Sequence, residues 1–183
     1  PQNYDSKYGR PAFNYYQNPE TKRQLEKIEK EARKKGITKS GKIRNYVLER
    51  LKPTTESMDI PDNAYPDGLY TETAIKQLND LEKNGKPWFL GVGFQRPHLP
   101  FSAPKKYWDL YDRDKVKLAE FQQLGEGIPE IAYHPFGELK SYSDIDNDFN
   151  IGNKIPETKQ RELIHGYMAA TSYIDALLGK LLD

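Results

Sequence analysis

The sequence predicts an α/β domain, with helices packed on a mostly parallel sheet that this chain completes only in part. Three observations lead there. The run "PWFLGVGF", Pro87 to Phe94, is apolar without interruption, and continuous apolarity over strand length suits a strand buried on both faces of a parallel sheet. Before it, Leu69, Ala74, Ile75, Leu78 and Leu81 recur at helical spacing until Asn84-Gly85, giving the helix-then-strand order of an α/β unit. From Glu157 onward, Leu163, Ile164, Tyr167, Met168, Thr171, Ile174, Leu178 and Leu181 form the apolar side of a long helix. One strong strand cannot make a sheet. Its neighbours are therefore expected in sequence outside this chain.

The other elements follow in order. Residues 1–19 are rich in Tyr, Asn, Gly and Pro and read as irregular. Glu20 to Lys35 places Leu25, Ile28 and Ala32 among charges and stops at Gly36, the pattern of a surface helix. A second helix is predicted over Lys42 to Leu51, with Ile43, Val47, Leu48 and Leu51 on one side, ended by Pro53. Residues 53–68 read as a connector, Pro104 to Tyr111 as a short helix, and 112–155 mostly as loop.

Composition bounds the chemistry. The 183 residues contain no cysteine, which excludes a disulfide framework, a zinc-thiolate site and a cysteine nucleophile within this chain. Mean hydropathy is −0.90, polar for a self-contained globule, yet thirteen tyrosines and two tryptophans argue against disorder throughout. No apolar run approaches the ~20 residues that span a bilayer. The net charge of +1 hides a block: Lys22 to Lys52 holds twelve Lys/Arg against four Glu, a local +8. Such a block attracts anionic polymers, glycan or nucleic acid, although opposite an apolar stripe it also reads as a solvated helix face. No nucleic-acid motif accompanies it, so nucleic acid is not the expected partner.

The segment "QRPHLPF" lies where the predicted strand ends, the edge of α/β sheets at which ligands gather. Pro97 and Pro100 restrict the backbone on either side of His98. Arg96 and a protonated His98 together present only donors, which suits sulfate, phosphate or carboxylate. The alternative is a histidine that merely caps the sheet and bonds a carbonyl.

Four segments resemble the sulfatases, and among them the iduronate-2-sulfatase-like branch: "DIPDNAYPDGLYTETAIKQL", "KPWFLGVGFQRPHLPFSAPKKYWDLY", "GIPEIAYHPFGELKSY" and "KQRELIHGYMAATSYIDALLGKLLD". They cover roughly Met58 to Asp183; the first fifty-odd residues match loosely. The resemblance implies an alkaline-phosphatase-like domain that hydrolyses sulfate esters. It divides the chain into 1–57, an irregular segment with a basic helical insertion, and 58–183, the central part of the catalytic domain. It further implies a formylglycine made from Cys or Ser in C/S-x-P-x-R, a Ca2+ held by acidic residues, a sulfated carbohydrate substrate, and a periplasmic, extracellular or lysosomal location. The histidine of the family's K/R-P-H motif falls on His98, which would bond a sulfate or bridging oxygen or help protonate the leaving alcohol. Arg96 and His134 would bind substrate beside it. The nucleophile motif and the metal-ligand pairs are missing from this sequence, so it reads as an internal fragment, inactive alone. The rest of the polypeptide or a partner chain would complete it. A phosphoester or phosphonate hydrolase of the same superfamily is the other enzymatic reading.

Remaining candidates are weaker. Asp144 to Asn150 imitates the start of a calcium loop, but Phe149 and Ile155 stand where Gly and Glu belong, so no metal ligand is assigned. His165 and Asp175 read as structural residues of the last helix. Tyr107, Trp108 and Tyr111 could stack on sugar, or form core.

Overall fold

The computed structural model describes residues 15–123, 125–146, 149 and 154–183. Asn18 opens α1 (Pro19–Lys34), its side-chain oxygen accepting the N–H groups of Glu20 at 2.8 Å and Thr21 at 3.4 Å. Those donors lie in the first turn, where no helical carbonyl can reach them. Gly36, at φ 80°, turns the chain into α2 (Ser40–Leu48). Leu25, Ala32, Ile43 and Val47 close on Tyr16 between the two helices.

β1 (Thr55–Met58) and β2 (Phe101–Pro104) pair in parallel, Thr55 opposite Phe101 and Met58 opposite Pro104. Between them in sequence runs α3 (Pro66–Lys83), so the three make a small β–α–β unit. β1 lies in the predicted connector, and four residues as polar as Thr-Glu-Ser-Met give no apolar run to recognise. Its position also crosses the boundary expected after residue 57. Glu56 on β1 accepts the N–H groups of Gln17 and, at 3.0 Å, Asn18, and the hydroxyl of Tyr65 at 2.8 Å. The first segment is thereby tied to the rest.

The main core gathers Tyr65, Ala103, Tyr107, Trp108, Ala169, Tyr173 and Leu177 from α3's entry, β2, α4 (Lys105–Trp108) and α6 (Glu157–Leu182). The buried side of α6 is His165, Gly166, Ala169, Ala170, Tyr173 and Leu177, whereas the predicted face leaves Tyr167 and Leu178 exposed. Small residues win because the helix passes against Phe101 and Trp108; a β-carbon on Gly166 would lie 2.9 Å from each. At Gly166, volume and not hydropathy decides what fits. Between these elements, α5 (Gly137–Lys140) joins a third cluster, in which Leu99, Leu139, Ile155 and Leu163 pack on Tyr142, Ile145 and Phe149.

The strongest sequence expectation needs correction. Pro87 to Phe94 belongs to no helix or sheet, and among the described residues its backbone makes no hydrogen bond to other backbone. Trp88 is 46% exposed, Phe89 94% and Val92 38%. Composition makes a segment suited to a buried strand, but only neighbouring strands can bury it. A cleft of about 210 Å3 separates Leu90–Gly93 from Tyr70, Thr73, Ala74 and Gln77 of α3. No helix among the described residues is long and apolar enough to cross a membrane.

Candidate active site

His98 stands on the loop between the apolar segment and β2, where both Arg96-Pro97 and Leu99-Pro100 are cis. Its N–H closes a turn onto the Gln95 carbonyl at 3.1 Å. The ring Nδ1 lies 2.7 Å from the Leu99 carbonyl. A carbonyl can only accept, so Nδ1 carries a proton and Nε2 is the nitrogen left to gain or lose one. The side chain is 66% exposed, with Nε2 3.6 Å from a carboxylate oxygen of Glu138. The ring bonds main chain through one nitrogen and presents the other.

Arg96 occupies a different place from the one expected. It is 4% exposed, and its guanidinium donates from Nε to the Ser102 carbonyl at 3.2 Å and from Nη1 to the His98 carbonyl at 3.1 Å. The Tyr15 ring covers it at 4.7 Å. Nη2 has no hydrogen-bond partner among the described residues. Shut beneath the loop, Arg96 is not placed to share an anion with His98. The reason is chemical: the loop's own carbonyls need donors, and a guanidinium satisfies two at once.

Asp67, which the sequence gave no reason to single out, completes this arrangement. It lies in the first turn of α3, 1% exposed, and accepts the N–H groups of Gln95 at 2.6 Å and Arg96 at 3.3 Å. Burial raises its pKa above the ordinary carboxylate range despite those bonds and the Arg96 charge. Burial likewise lowers that of Arg96. Gly68 makes the position possible, because a β-carbon there would sit 2.1 Å from the Asp62 carbonyl oxygen.

His134 is exposed on the loop before α5. Its Nδ1 accepts the Phe136 N–H at 2.8 Å, and its ring meets Phe136 edge-on at 5.4 Å. Leu99 and Leu139, packed in one cluster, bring this loop against the histidine loop, but the side chain delivered to His98 is Glu138. No motif marks Glu138 in the sequence.

The other candidates resolve into structure. His165 is buried, with Nε2 2.8 Å from the Trp108 carbonyl and Nδ1 accepting from Arg113 at 3.2 Å, so both ring nitrogens are used. Tyr107 and Trp108 are core, and Tyr111 bonds Ser172 at 2.5 Å. Asp144 accepts from Thr54 twice and from Lys159; Asn147, Asp148 and Asn150 of the same loop lie outside the described residues.

A family model described as Sulfatase matches residues 2–183. The chain belongs to the sulfatase family. The match takes in the first fifty-odd residues as well as the rest of the chain. The chain is 34% identical to human iduronate 2-sulfatase over 129 residues, 69% of this chain and 23% of that protein. It is 30% identical to a sulfatase of Formosa agariphila over 67% of this chain and 22% of the relative. A choline-sulfatase of Rhizobium meliloti is 30% identical over 60% of the chain and 20% of its own length. The chain thus spans about a quarter or less of the length of the curated relatives it matches.

No residue in this sulfatase sequence fits a formylglycine precursor, and among the described residues none fit a calcium ion. There is no cysteine, and Ser102 is the one serine followed two places later by proline; Lys106 stands where the motif needs Arg. Ser102 is fully buried on β2. Among the described residues no group of three or more His, Asp or Glu could hold a metal ion.

Proposed function

We propose that the complete polypeptide carrying this chain hydrolyses sulfate esters, with His98 as the residue this chain contributes to the reacting group. The observation that carries the reading is the His98 ring: Nδ1 is committed to the Leu99 carbonyl, and Nε2 faces outward. In the imidazolium form Nε2 donates a hydrogen bond to a sulfate or bridging oxygen. As the sulfur–oxygen bond breaks, charge grows on the leaving alcohol oxygen, and that proton can pass to it. The nucleophile and any metal ligands are supplied from outside this chain, which by itself is inactive.

A sulfated carbohydrate is the substrate we favour. The names of the iduronate 2-sulfatases among the relatives point to a sugar acid. The exposed face of α1 carrying Arg23, Lys27, Lys30 and Lys34 at helical spacing suits a polyanion. The comparisons favour this hydrolase over a stand-alone binding module. An extracytoplasmic or lysosomal compartment, where such substrates are met, goes with the same reading.

The test is turnover of paired sulfate and phosphate esters by the complete polypeptide and its His98→Ala variant. Sulfate ester hydrolysis that drops by ~100-fold or more in the variant supports the reading. Unchanged hydrolysis removes His98 from the chemistry, and a preference for the phosphate ester reassigns the reaction.

A further inference from the structure

We propose that Asp67 and Arg96 act as a buried positioning pair that sets the direction of the His98 ring, an inference that rests on the role given to His98 above. Two side chains hold the loop at four main-chain points. Asp67 fixes its entry by accepting the N–H groups of residues 95 and 96. Arg96 fixes its middle and its exit by donating to the carbonyls of His98 and Ser102. Between those points the Leu99 carbonyl holds Nδ1 of the ring, so moving the His98 backbone moves the one bond that decides which nitrogen faces outward.

Stability alone is a weak reason for this arrangement. Asp67 and Arg96 are both nearly sealed from solvent, and taking two charges out of water costs more than well-packed apolar residues in their place. Their mutual attraction does not outweigh that burial; each serves main-chain groups of one loop, and Nη2 of Arg96 has no hydrogen-bond partner among the described residues. Charge-assisted bonds to a short loop do what apolar packing cannot, because they fix the direction of individual peptide groups. An error of ~1 Å in a reacting group lowers a rate by ~100-fold, which is the scale of effect at stake.

The experiment uses the complete polypeptide and four variants: Arg96→Met, which keeps length but loses both donors, Arg96→Lys, which restores a charged donor, Asp67→Asn and His98→Ala. Rates on a sulfate ester are read together with the imidazole nitrogen signals of His98 by NMR and the thermal midpoint of each variant. Arg96→Met and Asp67→Asn should lower kcat by ~10- to 100-fold with KM changed much less, and Arg96→Lys should recover part of the loss. In Arg96→Met the signature of a proton fixed on Nδ1 should disappear, and in Arg96→Lys it should return. Folded Arg96→Met or Asp67→Asn protein with parental kcat and an unchanged His98 signature overturns the proposal. If Arg96→Met does not fold, Asp67→Asn decides through the same two readouts. Should His98→Ala retain full turnover, the reading of His98 fails instead, and the NMR signals still report whether the pair sets the ring.

Discussion

Glu138 stands 3.6 Å from Nε2 of His98, beside the ring nitrogen that the Leu99 carbonyl leaves free. A carboxylate there occupies space that an anionic ester would use and repels its charge. Two charges ~4 Å apart in water interact by about 1 kcal/mol, a factor of ~5 in binding. Glu138→Gln in the complete polypeptide should therefore lower KM for a sulfate ester by ~2- to 5-fold at low ionic strength, and added salt should shrink the difference. Steady-state kinetics at two salt concentrations check this. A raised KM would make Glu138 a substrate-binding group.

The elements legible in the sequence were those with local causes. α1, α2 and α6 carry their own periodicity and stops, and α3 was recognisable apart from its first turn, where Pro66 starts the helix earlier than the apolar pattern does. His98 stands out in the sequence because two prolines and an apolar run frame it. What could not be read depends on distant partners. β1 exists because residues 101–104 pair with it, and the duties of Arg96, Asp67 and Glu138 are set by groups 28 or more positions away or by the direction of single carbonyls. Arg96 looked like an anion ligand because a residue type says what can be bonded, not on which side of the chain the partner lies.

The exposed strand-like segment gives a second expectation. Trp88, Phe89 and Val92 hold apolar side chains in solvent, and residues 88–94 make no backbone hydrogen bonds to other backbone among the described residues. In this 183-residue chain their amides should exchange with deuterium almost as fast as a disordered peptide. In the complete polypeptide the same amides should be protected by ~100-fold or more, because strands from outside this chain would pair with them. Mass spectrometry of both forms makes the comparison, and fast exchange in the complete polypeptide would exclude a sheet position for this segment.

Gly68 and Gly166 are both closed to a side chain, but against different walls. A β-carbon on Gly166 meets Phe101 and Trp108 side chains at 2.9 Å; on Gly68 it meets the Asp62 carbonyl oxygen at 2.1 Å and Asn63 N at 2.8 Å. Overpacking a core costs about 1–3 kcal/mol, and the usual helical gain of glycine to alanine, about 1 kcal/mol, offsets part of it. Gly166→Ala should therefore lose ~0–2 kcal/mol. Gly68→Ala should lose more, since main chain must move and with it the start of α3 that holds Asp67. Urea unfolding of the two variants ranks them, and equal stability to the parent would mean that residues 62–64 give way freely.

Glu56 provides a pH signature with a definite sign. Burial raises its pKa above the ordinary carboxylate range, against the hydrogen bonds from Gln17, Asn18 and Tyr65. A folded-state value above the unfolded one means that the native form holds a proton the unfolded chain has released. Its stabilising contribution is complete below the unfolded value of ~4.3 and is lost as pH rises through the raised folded value. Asp67 acts in the same direction. Asp62 acts in the opposite one: burial pushes it up, but bonds from Lys106, Lys180 and Tyr107 outweigh that and lower it, so its contribution is lost as pH falls. Replacing Glu56 by Gln removes one titration and leaves the other two. The variant should lie below the parent in thermal midpoint at pH ~4, because one carboxyl bond to the 17–18 backbone is gone, and the gap should narrow toward pH ~7 as the parent loses its proton. A gap that widens with rising pH would show that the ionised Glu56 is the form the fold prefers, with the Gln17 and Asn18 N–H groups outweighing burial.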